Sequence, residues 1–588
     1  MKKHKKYKKL SPSELLQRKE QRDQRKEIRS ILNNLGFNKL NHIDGKEFNY
    51  KDRTSELDDI FICENIILLT EYTIGEPHIL KKKIFYDKIN ENCRDFINFM
   101  LENEKFDSFQ TYYNENIKNK YTANQLKLKI LYCSKKSISK EHKKIVDGVI
   151  YFDFHIVQYF KCLTKIIKLS GRYEFLEFLE IPFCEFGNNI LGSGNVSTNK
   201  FLGHILPEEK SSFKEGYKII SFYIDAESLI KRAYVLRQEG WREKENIGHY
   251  QRMLVSKKIL NMRKYLSEEK RVFINNIIST ISEDNVKLFD KEGNNIVVDK
   301  NGEFIGEGTK TNVIPTLIEI EDTCNIIGII DGQHRTYAYH EANDAYEVTI
   351  NRLRKIQNLL VTGILFPHNE EKEKRRKFEA NLFLEINLNQ TKVGSKLQQE
   401  IELLVNPFSS IAIGKRILKE LNTSGPLNNL IEQYSFEKGK IKTASIVSFG
   451  LKPLIKIDVQ KRSDSLFCLW NNDKKDKLKT KNCEEYNLLQ EYINFCVLKI
   501  RELFIAFHSA LTKDQWTPYS PQTPHGILTV TFMNGVLNVL RLLVENNKIN
   551  KSGLYRENLK KLNEFDFKKY KSSQYRKMGE DIYNSYFQ

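Results

Sequence analysis

Apolar residues fall into short blocks whose spacing switches between helical and extended periods, and the order of these blocks predicts a mixed α/β chain. Residues 12–35 read as a helix: Pro12 suits an early helical position, and Leu15, Leu16, Ile28, Ile31, Leu32 and Leu35 mark apolar positions around a charged middle. Gly36 supplies the stop, being free to take a left-handed conformation just past the last turn. The runs 60–63 and 66–69, separated by Glu64 and Asn65, predict a hairpin, and 128–133 and 148–152 predict two further strands. A helical stretch follows over 153–179. The segment 184–207 is rich in Gly, Asn and Ser and marks a boundary. Beyond it a second α/β pattern runs through a strand at 217–223, helices at 225–238 and 252–266, and a hydrophobic strand at 325–330. From residue 397 the pattern is mostly helical, with apolar helices at 486–511 and 526–546 and a lysine-rich loop at 473–481.

Composition sharpens this outline. A chain of 588 residues is too long for one hydrophobic core. With 40% hydrophobic residues, 35 Phe and 28 Tyr, it has the apolar matter to fold several. The boundaries expected are a basic arm at 1–11, an α/β domain at 12–205, a second at 206–410 and a mostly helical region at 411–588. The net charge of +19 favours a polyanionic partner, and nucleic acid is the first candidate. Residues 1–30 carry 12 Lys or Arg against 4 Asp or Glu, so the excess is concentrated at the start. That start has no apolar run behind it, unlike a secretory signal, and nothing approaches the roughly 18 apolar residues of a membrane span. A cytoplasmic chain without a membrane partner is expected. The nine cysteines are scattered without CxxC spacing, which predicts reduced, buried thiols and not a zinc site.

The segment 326–342, IIGIIDGQHRTYAYHEA, reads as a buried strand, a glycine turn and the start of a helix. Gly332 allows an unusual backbone conformation and close ligand approach, and free N–H groups at a helix start attract an anion. Arg335 offers a planar fork of donors to phosphate oxygens. His334 can donate one hydrogen bond and tune its charge near neutral pH. Asp331 can orient Arg335 or hold a magnesium ion.

Asp331, Gly332, Gln333, His334 and Arg335 spell the signature of the DGQHR-domain proteins, and the motif resembles the phosphate-binding elements of the ParB/sulfiredoxin-like superfamily. The resemblance implies that all five residues bind a nucleotide, ATP or CTP, in a DNA-associated setting. Gln333 stands where sulfiredoxin has its nucleophilic cysteine, so reduction of sulfinic acids is not implied. Tyr250, Gln251 and Arg252, before a predicted helix, are similar to the superfamily's upstream element, and Gln251 and Arg252 join the expected site. Residues 383–391 resemble its downstream segment, where the amides of Asn387, Asn389 and Gln390 suit either base or ribose recognition or helix capping. The family includes DndB-type regulators and proteins of DNA-modification and defence clusters. Such systems are the expected partners, and an NTPase switch or a non-catalytic regulator or scaffold the expected mode. No GxxxxGK[ST] loop is present, which disfavours a P-loop motor.

Residues 55–73, SELDDIFICENIILLTEYT, resemble the core of PD-(D/E)xK nucleases, a restriction-endonuclease-like fold. The resemblance makes Asp58 or Asp59 the first acid and Glu71 the second, with Asp59 and Glu71 holding Mg2+ and Glu27 as a further candidate. Thr73 occupies the lysine position. Lys81, or its neighbours Lys82 and Lys83, would have to supply that charge from the next helix. A magnesium-dependent nuclease gated by nucleotide is therefore the alternative function. The run 565–577 interleaves aromatic and basic residues, a pattern that can stack on bases or simply end a solvated helix.

Overall fold

The computed structural model describes residues 11–588 apart from 76–78, 192–199, 207–210, 212–215, 238–240, 242–252, 297–312, 369, 389–394, 435–436, 458–463 and 481–482. Its first element, α1 (Pro12–Asn34), begins on a capping box. The Ser11 hydroxyl accepts from the Glu14 N–H, and the Glu14 carboxylate accepts from the Ser11 N–H at 2.7 Å. Gly36 closes the segment at φ +92°. Only the second half of α1 is apolar on one face, through Ile28, Ile31 and Leu32, so only that half is buried. Leu15 and Leu16, expected to mark packing positions, stand 55% and 60% exposed.

Seven strands follow: β1 (Asn38–Lys39), β2 (Phe48–Tyr50), β3 (Arg53–Ser55), β4 (Asp59–Cys63), β5 (Ile66–Thr73), β6 (Lys127–Ser134) and β7 (Val149–Phe152). β2 and β3 pair with each other, while the other five form a sheet of order β1-β4-β5-β6-β7. The predicted hairpin is present as β4 and β5, turning at Glu64 with φ +51°. β6 and β7 then add in parallel, which requires crossovers, and α2 (Ile79–Glu91) lies in the first of them. Strand alternation splits this sheet between two cores. Phe61, Cys63, Ile66 and Leu68 face the α1 side, and Ile60, Ile62, Ile67 and Leu69 face the α2 side.

The second sheet comprises β8 (Lys200–Leu206), β9 (Lys218–Asp225), β10 (Ala233–Tyr234), β11 (Ile277–Ser282), β12 (Val286–Phe289), β13 (Ile314–Ile320), β14 (Ile327–Asp331) and β15 (Asn358–Phe366). Their order is β10-β14-β11-β15-β9-β8-β13-β12. The expected boundary at 205/206 falls at the end of β8, which pairs with β9 and β13. One core runs from Ile28 and Phe61 through Phe175 to Ile220, Ile329 and Val361, so the two regions expected as separate domains pack as one body. Glycine misled the reading here. Gly203 is a strand residue whose added Cβ would lie 2.3 Å from the Ser221 carbonyl oxygen, so close strand packing requires it.

The described residues divide into two compact units, the first ending at Arg375 and the second covering Arg376–Gln588. The second is mostly helical, as its pattern predicts, around Tyr486–Ala510 and Val530–Glu545. It begins before the expected residue 411. Helix Ser395–Val405 belongs to it, tied by Gln399 Nε2 to the Ala444 carbonyl and the Ser448 hydroxyl, each at 2.9 Å. Among the described residues no helix is long and apolar enough to cross a membrane.

Candidate anion-binding site

β14 ends at Asp331, Gly332 turns the chain at φ +101°, and a helix of five residues, Gln333–Tyr337, follows. Strand, glycine turn and helix thus occur in the predicted order. The glycine is obligatory on two counts. Its φ lies where a side chain is strained, and an added Cβ would sit 2.5 Å from Ile277 Cδ1 and 3.1 Å from Arg335 Nη2. A helix this short adds little dipole, so any anion here must be held by side chains.

Arg335 is held in place from two sides: Nη2 donates to Asp331 Oδ2 and to the Asn276 carbonyl, both at 2.9 Å. Of the two roles open to Asp331, the geometry realises the orienting one. Arg335 Nε is sealed from solvent and has no acceptor among the described residues. A buried donor left unpaired costs about 1–3 kcal/mol, an uncommon feature in a folded chain unless something else supplies the acceptor.

His334 differs from its expected behaviour. Its Nε2 accepts from the Val255 N–H at 3.1 Å, so the ring's proton resides on Nδ1. Burial, reinforced by the charges of Lys258, Arg237 and Arg335, pushes its pKa down to about 4. The ring therefore stays neutral around pH 7 instead of titrating there, and the three cations share one neighbourhood with it. Arg237 is fully buried. It donates through Nη1 to Glu174 at 2.9 Å and Tyr159 at 3.0 Å and lies over the Tyr337 ring, yet its Nε and Nη2 have no acceptor among the described residues. Each guanidinium thus has one carboxylate partner, Asp331 or Glu174, and keeps donors that no acceptor among the described residues meets, beside a neutral imidazole.

The loop after the motif is locked by arginines that no sequence signal marks. Arg263 takes Asp344 with two bonds of 2.7 and 2.9 Å and donates to the His340 carbonyl at 2.7 Å, while Arg354 joins Glu347 at 2.7 Å. The partners of Arg263 lie up to 84 residues away, at Glu347, so only folding reveals them. Helix Ser256–Glu269, which carries Arg263, begins just after Val255, whose N–H bonds His334. Gln251 and Arg252 themselves, with Asn389 and Gln390, lie outside the described residues. Asn387 sits within helix Lys372–Leu388 and donates to the Phe383 carbonyl one turn back at 2.8 Å.

The carboxylates of the first sheet are not arranged as expected. Asp59 points to the α1 side, where it is fully buried and satisfied by Arg29 at 2.7 and 3.0 Å, Tyr72 at 2.8 Å and Lys39 at 3.1 Å. Glu71 points to the α2 side. Two residues on opposite faces of one sheet cannot share an ion, so the pair Asp59 and Glu71 is not a metal centre. Asp58, just ahead of β4, is bonded by Arg25 of α1 and accepts from the Tyr72 N–H at 2.9 Å, close enough to Glu71 for their charges to interact, and burial raises the pKa of both, that of Glu71 up to about 7. Lys82, and not the exposed Lys81, meets Glu71, contacting both its carboxylate oxygens at 2.7 Å. Helical phase decides this: position 82, not 81, points down onto the sheet. With both Glu71 oxygens taken by an ammonium, the arrangement does not fit a resident Mg2+. Among the described residues no group of three or more His, Cys, Asp or Glu is placed to hold a metal. Glu27 pairs with Lys161 and Gln158.

The run 565–577 is also absorbed by packing. Phe567 and Tyr570 are buried in the second unit's core, and Phe565 stacks on Tyr570 at 5.9 Å, leaving no ladder of rings for bases. No protein-family model, curated protein or solved structure matches the chain.

Proposed function

We propose that the chain binds the phosphates of a nucleoside triphosphate, ATP or CTP, at Asp331, Gly332, Gln333, His334 and Arg335, and associates with DNA. This is the function implied by its resemblance to DGQHR-domain proteins of the ParB/sulfiredoxin-like superfamily. The observation that carries the reading is the buried, acceptor-less Nε of Arg335, in a neighbourhood of three cations and an uncharged histidine. A phosphate oxygen would satisfy that donor and offset the cationic charges that add to burial in keeping His334 neutral. Asp331 keeps the guanidinium aimed, His334 donates from Nδ1, and Gly332 lets the ligand approach the backbone. On this reading the second sheet is the ParB/sulfiredoxin-like portion. The first sheet is a restriction-endonuclease-like portion whose carboxylates serve structure and not metal binding.

Calorimetric titration of ATP, CTP, GTP and UTP with magnesium tests the proposal and finds the preferred base. Arg335→Ala removes a charge-assisted interaction of about 1.5–3 kcal/mol, so affinity should drop roughly ten- to a hundredfold. If the folded wild type binds none of the four at millimolar concentration, with or without DNA, the motif is a structural turn.

A further inference from the structure

The exposed side of α1 carries a cationic groove that the resemblances above do not assign. It encloses about 790 Å3 and is lined by Arg18, Arg22, Arg25, Lys26 and Arg29, with Asp44 as its acid. The spacing 18, 22, 25, 29 is that of one helical face, and it carries the charge over about 16 Å of helix axis. Of the acids on the same helix, Glu14 lies one turn before Arg18 and is engaged at the Ser11 cap, and the other three are turned away. Glu20 pairs with Lys135 at 3.3 Å and Glu27 with Lys161, while Asp23 projects more than about 100° round the helix from the arginine stripe.

Two roles divide the cations. Arg25 bonds Asp44 and Asp58, and Arg29 bonds Asp59, so these two form a fixed floor. Arg18, Arg22 and Lys26 have no hydrogen-bond or ion-pair partner among the described residues and remain exposed. Gln21, Asn33 and Asn34 add amide donors to the lining. Free cations beside neutral donors on a rigid helix suit a string of phosphates better than a single anion, since 16 Å spans roughly five phosphates of a strand rising 3.4 Å each. In sequence the groove also continues directly from residues 1–10, which hold six lysines.

We infer that the outer face of α1 is a docking surface for the phosphodiester backbone of nucleic acid, with Arg18, Arg22 and Lys26 as the charges that neutralise phosphates. The inference deepens the nucleic-acid part of the proposed function and is independent of the nucleotide site. The test is fluorescence anisotropy on the full chain, with labelled duplex DNA, single-stranded DNA and RNA of equal length, across a salt series. Arg18→Ala combined with Arg22→Ala should weaken binding about tenfold near 100 mM salt and lower the salt slope by about 2. Helical content should be unchanged, since neither side chain holds the fold. A control with the same loss of charge, Lys513→Gln with Lys551→Gln on the second unit, should keep the wild-type slope. Wild-type affinity and slope in the arginine variant, or an equal loss in the control, overturns the assignment while leaving DNA association intact. So does competition by polyglutamate as strong as that by nucleic acid. A wild type that binds none of the three polymers at low salt removes the DNA reading and this surface together, whatever calorimetry shows for nucleotides.

Discussion

Glu71 shows how a residue's surroundings set its chemistry. Burial favours its uncharged form and outweighs the stabilising charge of Lys82, so its pKa rises from 4.5 to about 7. Folding therefore favours the protonated acid. Between about pH 4.5 and 7 the native state holds the proton more firmly than the unfolded chain does, and stability falls as pH rises through that window. Glu71→Gln should flatten this dependence by up to about 3 kcal/mol, read as the difference in urea stability between pH 4 and pH 8. An unchanged pH dependence would mean the carboxyl titrates normally. At the other site, Arg335 and Asp331 were legible as neighbours because they lie four apart across a turn. Arg237 was not, because nothing local marks an arginine that folding buries beside Glu174, 63 residues away.

At the scale of elements, α1 is the part of the chain most fully written into its own residues. Proline at the first position, a capping box and a glycine stop all agree, and the helix ends within a residue of the expected place. Its first turns have exposed Leu15 and Leu16 and no core beneath them, so the cap contributes most of their local order. Ser11→Ala should cost about 1 kcal/mol and speed amide exchange over residues 13–16 without affecting residues 28–32. Equal exchange in the two proteins would show that the cap contributes nothing there. The hairpin of β4 and β5 was equally readable, since both runs are bounded and its turn tolerates positive φ at Glu64. Strand β8 was not, because its glycine and polar neighbours imitate a loop.

At the scale of the whole molecule, charge is the property with a direct functional consequence. The net charge of +19 includes six lysines within residues 1–10, ahead of the arginine face of α1. If these lysines contact phosphates, deleting residues 1–10 should lower the slope of log affinity for DNA against log salt, by at most about 5. An unchanged slope would assign the whole effect to the folded surface. Charge does not, however, predict how the chain divides. The expected domains at 12–205 and 206–410 were drawn from composition, yet a continuous core from Ile28 to Val361 joins their described residues.

The sequence by itself determined the local elements, the mixed α/β character, the helical second unit and the Asp331 to Arg335 turn. Each depends on periodicity, turn residues or contacts a few positions apart. Tertiary structure alone decided which side chains face one another. It placed Asp59 and Glu71 on opposite faces of one sheet, because successive strand residues alternate and the register of β4 on β5 fixes their sides. It chose Lys82 over Lys81 by helical phase, and it surrounded His334 with cations from distant segments, which lowers its pKa through burial and charge. Such outcomes depend on long-range packing, which the order of residues encodes only through the whole fold.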